Sequence, residues 1–238
     1  LYAGVEFSPV PVELSALLGQ LAPAFAPFKA LGPDDYAVSC KINTREGSER
    51  IVRAAFEFAR QHGRKKVTIV HKANVVRASD GVFLEEAKQV ARDYPGVPCD
   101  DANVDAICMW LLKNPFAYDV LVAPNLYGDI ISDLCAQMVG GLGFGCSGNI
   151  GEKLAVFEPT HGSAPKYAGQ YKVNPIATIL SAKMMLDWLG EKEMGADLEQ
   201  AVAAVIAEGK VRTYDMGGSA TTLDLARAIA ARVPGAAA

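Results

Sequence analysis

Short β-branched runs alternate with amphipathic helical runs over most of this chain, and that alternation leaves few architectures other than helices layered on an α/β sheet. The run Val67–Val70 is followed by a helical pattern from about Asp80 that must stop before Pro95. A helical pattern over Val104–Lys113 leads into the strand Asp119–Val122, and another helix follows Asn125 and ends at Gly140-Gly141. Upstream, Leu14, Leu17, Leu18 and Leu21 share one face of a short helix after Pro11. Tyr36 to Asn43 alternates, with Tyr36, Val38, Cys40 and Ile42 on one side, and reads as a half-buried strand. Thr44 caps the next helix, which turns Ile51, Val52, Ala55 and Ala59 inward and ends at Gly63.

After Gly140-Gly141 come Gly143, Gly145, Gly148 and Gly151 in quick succession. Gly143-Phe144-Gly145-Cys146-Ser147-Gly148 matches a dinucleotide fingerprint as a string, but that motif needs a strand before it and a helix after it. The order here is reversed, so the stretch reads as a flexible crossing between domains. Beyond it lie a strand Leu154–Phe157, a long loop, and a helix begun by Asn174-Pro175 and ended by Gly190. A helix ended by Gly209, a last helix capped by Thr221 or Thr222, and a frayed C-terminus complete the chain.

At 238 residues and 50% hydrophobic the chain has enough apolar side chain for a real core. A net charge of -4 gives no electrostatic reason to expect nucleic acid or an anionic membrane, and no run is long enough to span a bilayer. Five cysteines with no Cys-x-x-Cys pair argue against a disulfide framework or structural zinc and fit a reducing compartment, expected to be the cytoplasm, with the mitochondrial matrix as the alternative.

The sharpest chemical signal is Asn125-Leu126-Tyr127-Gly128-Asp129-Ile130-Ile131-Ser132-Asp133, directly after a strand. Asp129 and Asp133 stand four apart, so a helix puts both carboxylates on one face, with Ile130 and Ile131 buried opposite. Two acids so placed suit a hard divalent ion, although acids in a first helical turn also complement the macrodipole. Asp101 and Asp105 share that spacing and are individually no better than cap or surface acids. Lys72 follows a strand, between His71 and Asn74, where open α/β sheets place ligand-binding groups, although loop lysines are usually just solvated. His161-Gly162-Ser163-Ala164-Pro165-Lys166-Tyr167 lies in the long loop, and its small residues permit close backbone approach to a ligand.

Taken in order, Leu1-Tyr2-Ala3-Gly4, His71-Lys72-Ala73-Asn74, the Asn125–Asp133 motif and His161-Gly162-Ser163-Ala164-Pro165 resemble the isocitrate/isopropylmalate dehydrogenase family. The insert between Tyr2 and Thr44-Arg45 looks like that of clasp-bearing isocitrate enzymes. The resemblance implies a two-domain α/β fold of that family with the N-terminal half of the large domain absent. It implies a dimerisation clasp over 1–43, a small domain over 44–139 and the rest of the large cofactor domain over 140–238. The expected reaction is metal-dependent oxidative decarboxylation of isocitrate to 2-oxoglutarate by a homodimer that shares its active sites between subunits. The missing segment would carry the groups that hold the substrate carboxylates, so this piece alone is expected to be inactive.

In that scheme Asp129 and Asp133, with Asp105 from the other subunit, hold Mg2+ or Mn2+, and Tyr2 and Lys72 are catalytic. Asn74 touches substrate. The cofactor lies on His161, Gly162, Ser163, Ala164, Pro165, Lys166, Tyr167, Asn174 and Tyr214. Lys166-Tyr167 and Tyr214 resemble the NADP-using side of the family, although Gly218 stands where that side has an arginine. NAD use, a related 3-carboxy-2-hydroxy acid as substrate, and a non-catalytic regulatory subunit are the alternatives.

Overall fold

In the computed structural model, residues 5–235 are described. They fall into two compact units, divided between Gly128 and Asp129. Tyr2 and the alanines that end the chain lie outside the described residues.

The first unit is built on a three-stranded parallel sheet in the order β4-β3-β5, with β3 at Val67–His71, β4 at Cys99–Asn103 and β5 at Val120–Val122. All five residues of β3 are buried, because it is central and covered on both faces, as its continuous β-branched run anticipates. The helix α2, Arg45–Gln61, starts at Thr44, whose hydroxyl accepts the Gly47 N–H at 3.1 Å. Past its end Gly63 takes a left-handed φ of 59°. α2 packs on α3, Ser79–Ala91, and the two bury Val52, Phe56, Ala59, Phe83, Ala87 and Val90 against Val67, Ile69 and Val122. The inward face is therefore centred on Val52, Phe56 and Ala59, and Ile51, expected inward, is 48% exposed. Its neighbour Val52 occupies the core direction, and one helical step of about 100° turns Ile51 away.

β4 was not legible as a strand. Cys99-Asp100-Asp101-Ala102-Asn103 has almost no apolar side chain, and pairing along the edge of β3 supplies its hydrogen bonds instead. The helix α4 spans Val104–Lys113, as the pattern predicts, and α5 spans Asn125–Met138.

The N-terminal part differs more. The helix after Pro11 forms as α1, Val12–Leu21, yet none of its residues is buried. The strand expected over Tyr36–Asn43 shrinks to β2, Val38–Cys40, paired antiparallel with β1, Val5–Phe7. Ile42 is left 67% exposed, because a two-stranded ribbon supplies no layer to cover that side.

In the second unit β6, Cys146–Ile150, pairs antiparallel with β7, Ala155–Pro159, under α6, Ile176–Leu189. The glycine-rich stretch read as a flexible crossing is thus partly a strand. A side chain at Gly145 would meet the Thr160 hydroxyl at 2.3 Å, and one at Gly143 would meet Asp215 at 2.7 Å, so these glycines serve close packing. α6 packs on α7, Lys192–Glu208, which packs on α8, Thr222–Ala230. Ile176, Ala201, Val202, Val205, Leu225 and Ile229 form their core. Gly190 and Gly209 close α6 and α7 in left-handed conformations, and Thr221, with Asp224, makes a reciprocal capping box at α8.

Phe56 has no exposed surface and stacks on Tyr94 at 5.1 Å. Phe56→Ala in the complete protein should lower its unfolding free energy by about 3 to 5 kcal/mol, read from the urea midpoint. A shift below about 1 kcal/mol would show that α2 and α3 are not packed as described.

Candidate active site

Lys72 is the first residue after β3, and both ends of its peptide are fixed. Its N–H donates to Asp80 Oδ2 at 2.8 Å, and its carbonyl accepts from Val75 and Val76 at 2.9 and 2.8 Å. Asp80 has no solvent exposure. Its other oxygen pairs with the Lys41 ammonium and accepts a long hydrogen bond, 3.4 Å, from the Asn43 amide. The Asn43 amide also donates to the Ser79 carbonyl at 2.8 Å. A fully buried carboxylate needs such partners, and these tie the stretch after β2 to the Lys72 turn.

His71, also buried, accepts the Ala73 N–H at Nδ1, 3.0 Å, which assigns the ring proton to Nε2, 3.1 Å from Asp101. Burial works to raise the Asp101 carboxyl, but hydrogen bonds from His71 and Lys88 outweigh it and hold the group below its ordinary value.

The Lys72 ammonium extends to Asp105 in the first turn of α4, with Nζ 2.5 Å from Oδ1. That hydrogen bond, then the helix N–H of Asp105 itself, holds the Asp105 carboxyl below its ordinary value. Two predicted site residues are thereby in contact. Asn74, the third in this unit, lies exposed in the turn after Lys72. The acids four apart, Asp101 and Asp105, are not a helical pair, since Asp101 lies on β4 and Asp105 on α4.

In the second unit Asp129 and Asp133 share an exposed face of α5, one turn apart. The helix starts at Asn125, so they sit in its second and third turns, and its first turn holds no acid. Complementing the macrodipole therefore does not account for them, because that effect fades within the first turn. Of the two isoleucines between them Ile131 is buried, whereas Ile130 is 52% exposed, its side chain being one helical step nearer the acidic face. No group of three metal-ligating side chains occurs among the described residues, so any ion held by this pair would need a further donor.

The predicted cofactor loop is also in the second unit. His161 donates from Nδ1 to the Gly162 carbonyl at 2.8 Å, Gly162 and Ser163 are exposed, and Ala164 takes a left-handed φ of 45°. A single 3-10 turn, Pro165–Tyr167, then brings Tyr167 to 5.9 Å from Tyr214, with the Lys166 ammonium 4.8 Å from the Tyr167 ring. Lys166, then Lys172, lowers the Tyr167 phenol, while burial and then the neighbouring Tyr167 raise Tyr214. Asn174 is buried, and its side chain is committed at both ends, accepting the Ile176 N–H at 2.9 Å and donating to Asp215 at 3.0 Å. Its amide therefore shapes the start of α6.

Sequence reasoning missed Asp80, Lys41 and Lys172. Asp80 reads as an ordinary helix-start acid, and nothing in the sequence shows that its partners come from Lys41 and the peptide of Lys72.

The chain belongs to the isocitrate/isopropylmalate dehydrogenase family, whose profile matches residues 26–229. It is 49% identical over 195 residues to the probable isocitrate dehydrogenase [NAD] subunit alpha, mitochondrial, of Caenorhabditis elegans, covering 82% of this chain and 54% of that protein. It is 47% identical over 199 residues to the 3-isopropylmalate dehydrogenase of Archaeoglobus fulgidus, covering 84% and 61%. The crystal structure of isocitrate dehydrogenase from Methylococcus capsulatus superposes with a TM-score of 0.82 at 44% identity, covering 84% of this chain and 60% of that one. The chain thus spans little more than half the length of these relatives. No helix among the described residues is long and apolar enough to cross a membrane.

Asp80→Asn keeps an acceptor for the Lys72 N–H but removes the counter-charge of Lys41. Lys41 is partly solvated, so the cost should be about 2 kcal/mol, read from urea unfolding of the complete protein. An unchanged midpoint would remove Asp80 as the anchor of the Lys72 turn.

Proposed function

We propose that the complete protein oxidatively decarboxylates isocitrate to 2-oxoglutarate with NADP and a divalent metal. The observation that carries this reading is the contact between Lys72 and Asp105 at the carboxyl edge of a parallel sheet, in a chain that also sets Asp129 and Asp133 on one helix face. Fixed carboxylates of this kind suit Mg2+ or Mn2+, and the donor set fits such an ion once a third acid joins the pair. Asp129 and Asp133 would hold it, with Asp105 from a second copy.

A metal bound there would acidify the 2-hydroxyl of the substrate, and the nicotinamide would accept the hydride. Lys72, held by Asp80 beneath it and Asp105 beside it, would assist loss of the hydroxyl proton to water, and once the neighbouring carboxylate leaves as carbon dioxide Tyr2 would protonate the carbon it leaves behind. Asn74 would contact the substrate. In this reading residues 1–43, 44–139 and 140–238 act as clasp, small domain and remaining cofactor domain.

A homodimer is supported by apolar surface that the chain leaves bare. Met109 and Leu112 lie on the same face of α4 as Asp105 and are 55% and 68% exposed, and Phe116 beyond the helix is 98% exposed. A second copy covering that face would receive Asp105 with it. Five cysteines without a Cys-x-x-Cys pair favour a reducing compartment, which we take to be the cytoplasm, although the C. elegans relative is named mitochondrial.

NADP is supported by the cations and phenols gathered at Lys166, Tyr167 and Tyr214, which suit a 2'-phosphate, with His161, Gly162, Ser163, Ala164, Pro165 and Asn174 shaping the rest of the loop. NAD is the second reading, favoured by the C. elegans relative, which is named for NAD.

Asp129→Asn in the complete enzyme keeps shape and removes one charged ligand, so metal affinity and kcat should fall together by tenfold or more, on the order of one charge-assisted contact. Unchanged magnesium or manganese dependence would end the metal assignment. Lys166→Asp with Tyr167→Ile should move the ratio of kcat/KM for the two nucleotides towards NAD by roughly ten- to a hundredfold. A wild type that prefers NAD, with a ratio the double change leaves alone, would decide for the second reading.

A further inference from the structure

The loop before α6 gathers more positive charge than Lys166 supplies. Lys172 places its ammonium 5.0 Å from the centroid of the Tyr167 ring and 4.8 Å from that of Tyr214, so it lies against both phenols. Lys166 approaches the same Tyr167 ring at 4.8 Å. Two like charges therefore converge on one aromatic ring, an arrangement that mutual repulsion opposes. Among the described residues neither ammonium has an ion-pair partner within 4.0 Å. The nearby Asp215 is already engaged by the Thr213 hydroxyl at 2.5 Å and the Asn174 amide at 3.0 Å. An anion entering beside the two rings would relieve the repulsion.

The backbone is bent to present Lys172. Tyr171 immediately before it has a left-handed φ of 49°, unfavourable for an aromatic residue, and its own ring is 58% exposed and gains little from the bend. The carbonyls on either side of Lys172 are tied to α8. The Tyr171 carbonyl accepts the Thr222 N–H at 2.7 Å and the Val173 carbonyl accepts the Thr222 hydroxyl at 2.5 Å. Strain held in place by tertiary hydrogen bonds is characteristic of ligand-contacting segments.

Position 218, beyond Tyr214, cannot carry a further cation. At Gly218 a Cβ would stand 2.0 Å from the Arg212 carbonyl oxygen, and the Gly218 N–H donates to the Thr213 carbonyl at 2.9 Å in a closed turn. No side chain fits there without rebuilding that turn.

We propose that Lys172 is a specificity-determining residue, which spaces the Tyr167 and Tyr214 rings and supplies the 2'-phosphate of NADP with the second cation that position 218 cannot carry. The proposal rests on the reading of Lys166, Tyr167 and Tyr214 as the groups that meet the 2'-phosphate.

The test uses the complete enzyme with Lys172→Gln and Lys172→Arg. For Lys172→Gln the ratio of kcat/KM for NADP to that for NAD should fall about tenfold, carried in KM for NADP, since one charge-assisted hydrogen bond is lost. Calorimetry should show the same loss for adenosine 2',5'-bisphosphate and none for adenosine 5'-monophosphate, and Lys172→Arg should restore both. Equal losses for both ligands would mean that Lys172 merely maintains the loop, and an unchanged ratio would mean that it contacts no phosphate. Either result overturns the proposal. If Lys166→Asp with Tyr167→Ile moves the ratio while Lys172→Gln does not, the cofactor reading stands and only the role of Lys172 falls. If neither moves it, both fall.

Discussion

A carboxylate without solvent contact must find all its partners inside the protein, and Asp80 finds them on two other segments of the chain. Lys41 and Asn43 come from the stretch between β2 and α2, the Lys72 N–H comes from the end of β3, and Asp80 itself opens α3. The arrangement orders the Lys72 turn independently of any ligand, because the peptide of Lys72 is fixed at both its N–H and its carbonyl. Among the described residues its ammonium reaches one carboxylate, that of Asp105. What looks like a lysine on a loop is, mechanically, an extension of the central strand.

The two units divide the chemistry. The first holds a lysine and an acid in contact at the carboxyl edge of its sheet, and the second presents a carboxylate pair on α5 together with a cluster of cations and phenols. The first unit does not cover all its apolar surface. α1 buries none of its leucines, and α4 leaves Met109 and Leu112 bare beside Asp105. Helices with an unmatched apolar face gain their stability from something packed on it, so these two are incomplete as isolated elements.

Much of this was legible in the sequence where one local rule governs. Thr44, Gly63, Gly190 and Gly209 bound their helices as capping chemistry requires, and β3 announces its burial through an unbroken β-branched run. β4 did not show itself, because an edge strand of acids and amides is specified by its neighbour's unpaired backbone and not by its own side chains. The glycines of 143–148 were misleading for a related reason. Spacing alone cannot separate a glycine that permits motion from one that permits contact, and Thr160 and Asp215, which make the contact, lie far along the chain. At the site, residues of a contiguous motif were readable, whereas Asp80 and Lys172 owe their positions to tertiary hydrogen bonds and were not.

The closed turn at Gly218 bears on how this protein can change. A position whose Cβ would overlap a backbone oxygen can carry no side chain unless the turn is rebuilt with it, whatever side chain selection would favour there. On the cofactor assignment proposed above, a change of nucleotide preference would fall to Lys166, Tyr167, Lys172 and Tyr214, none of them buried. The fold has closed one position to side chains and left these others open.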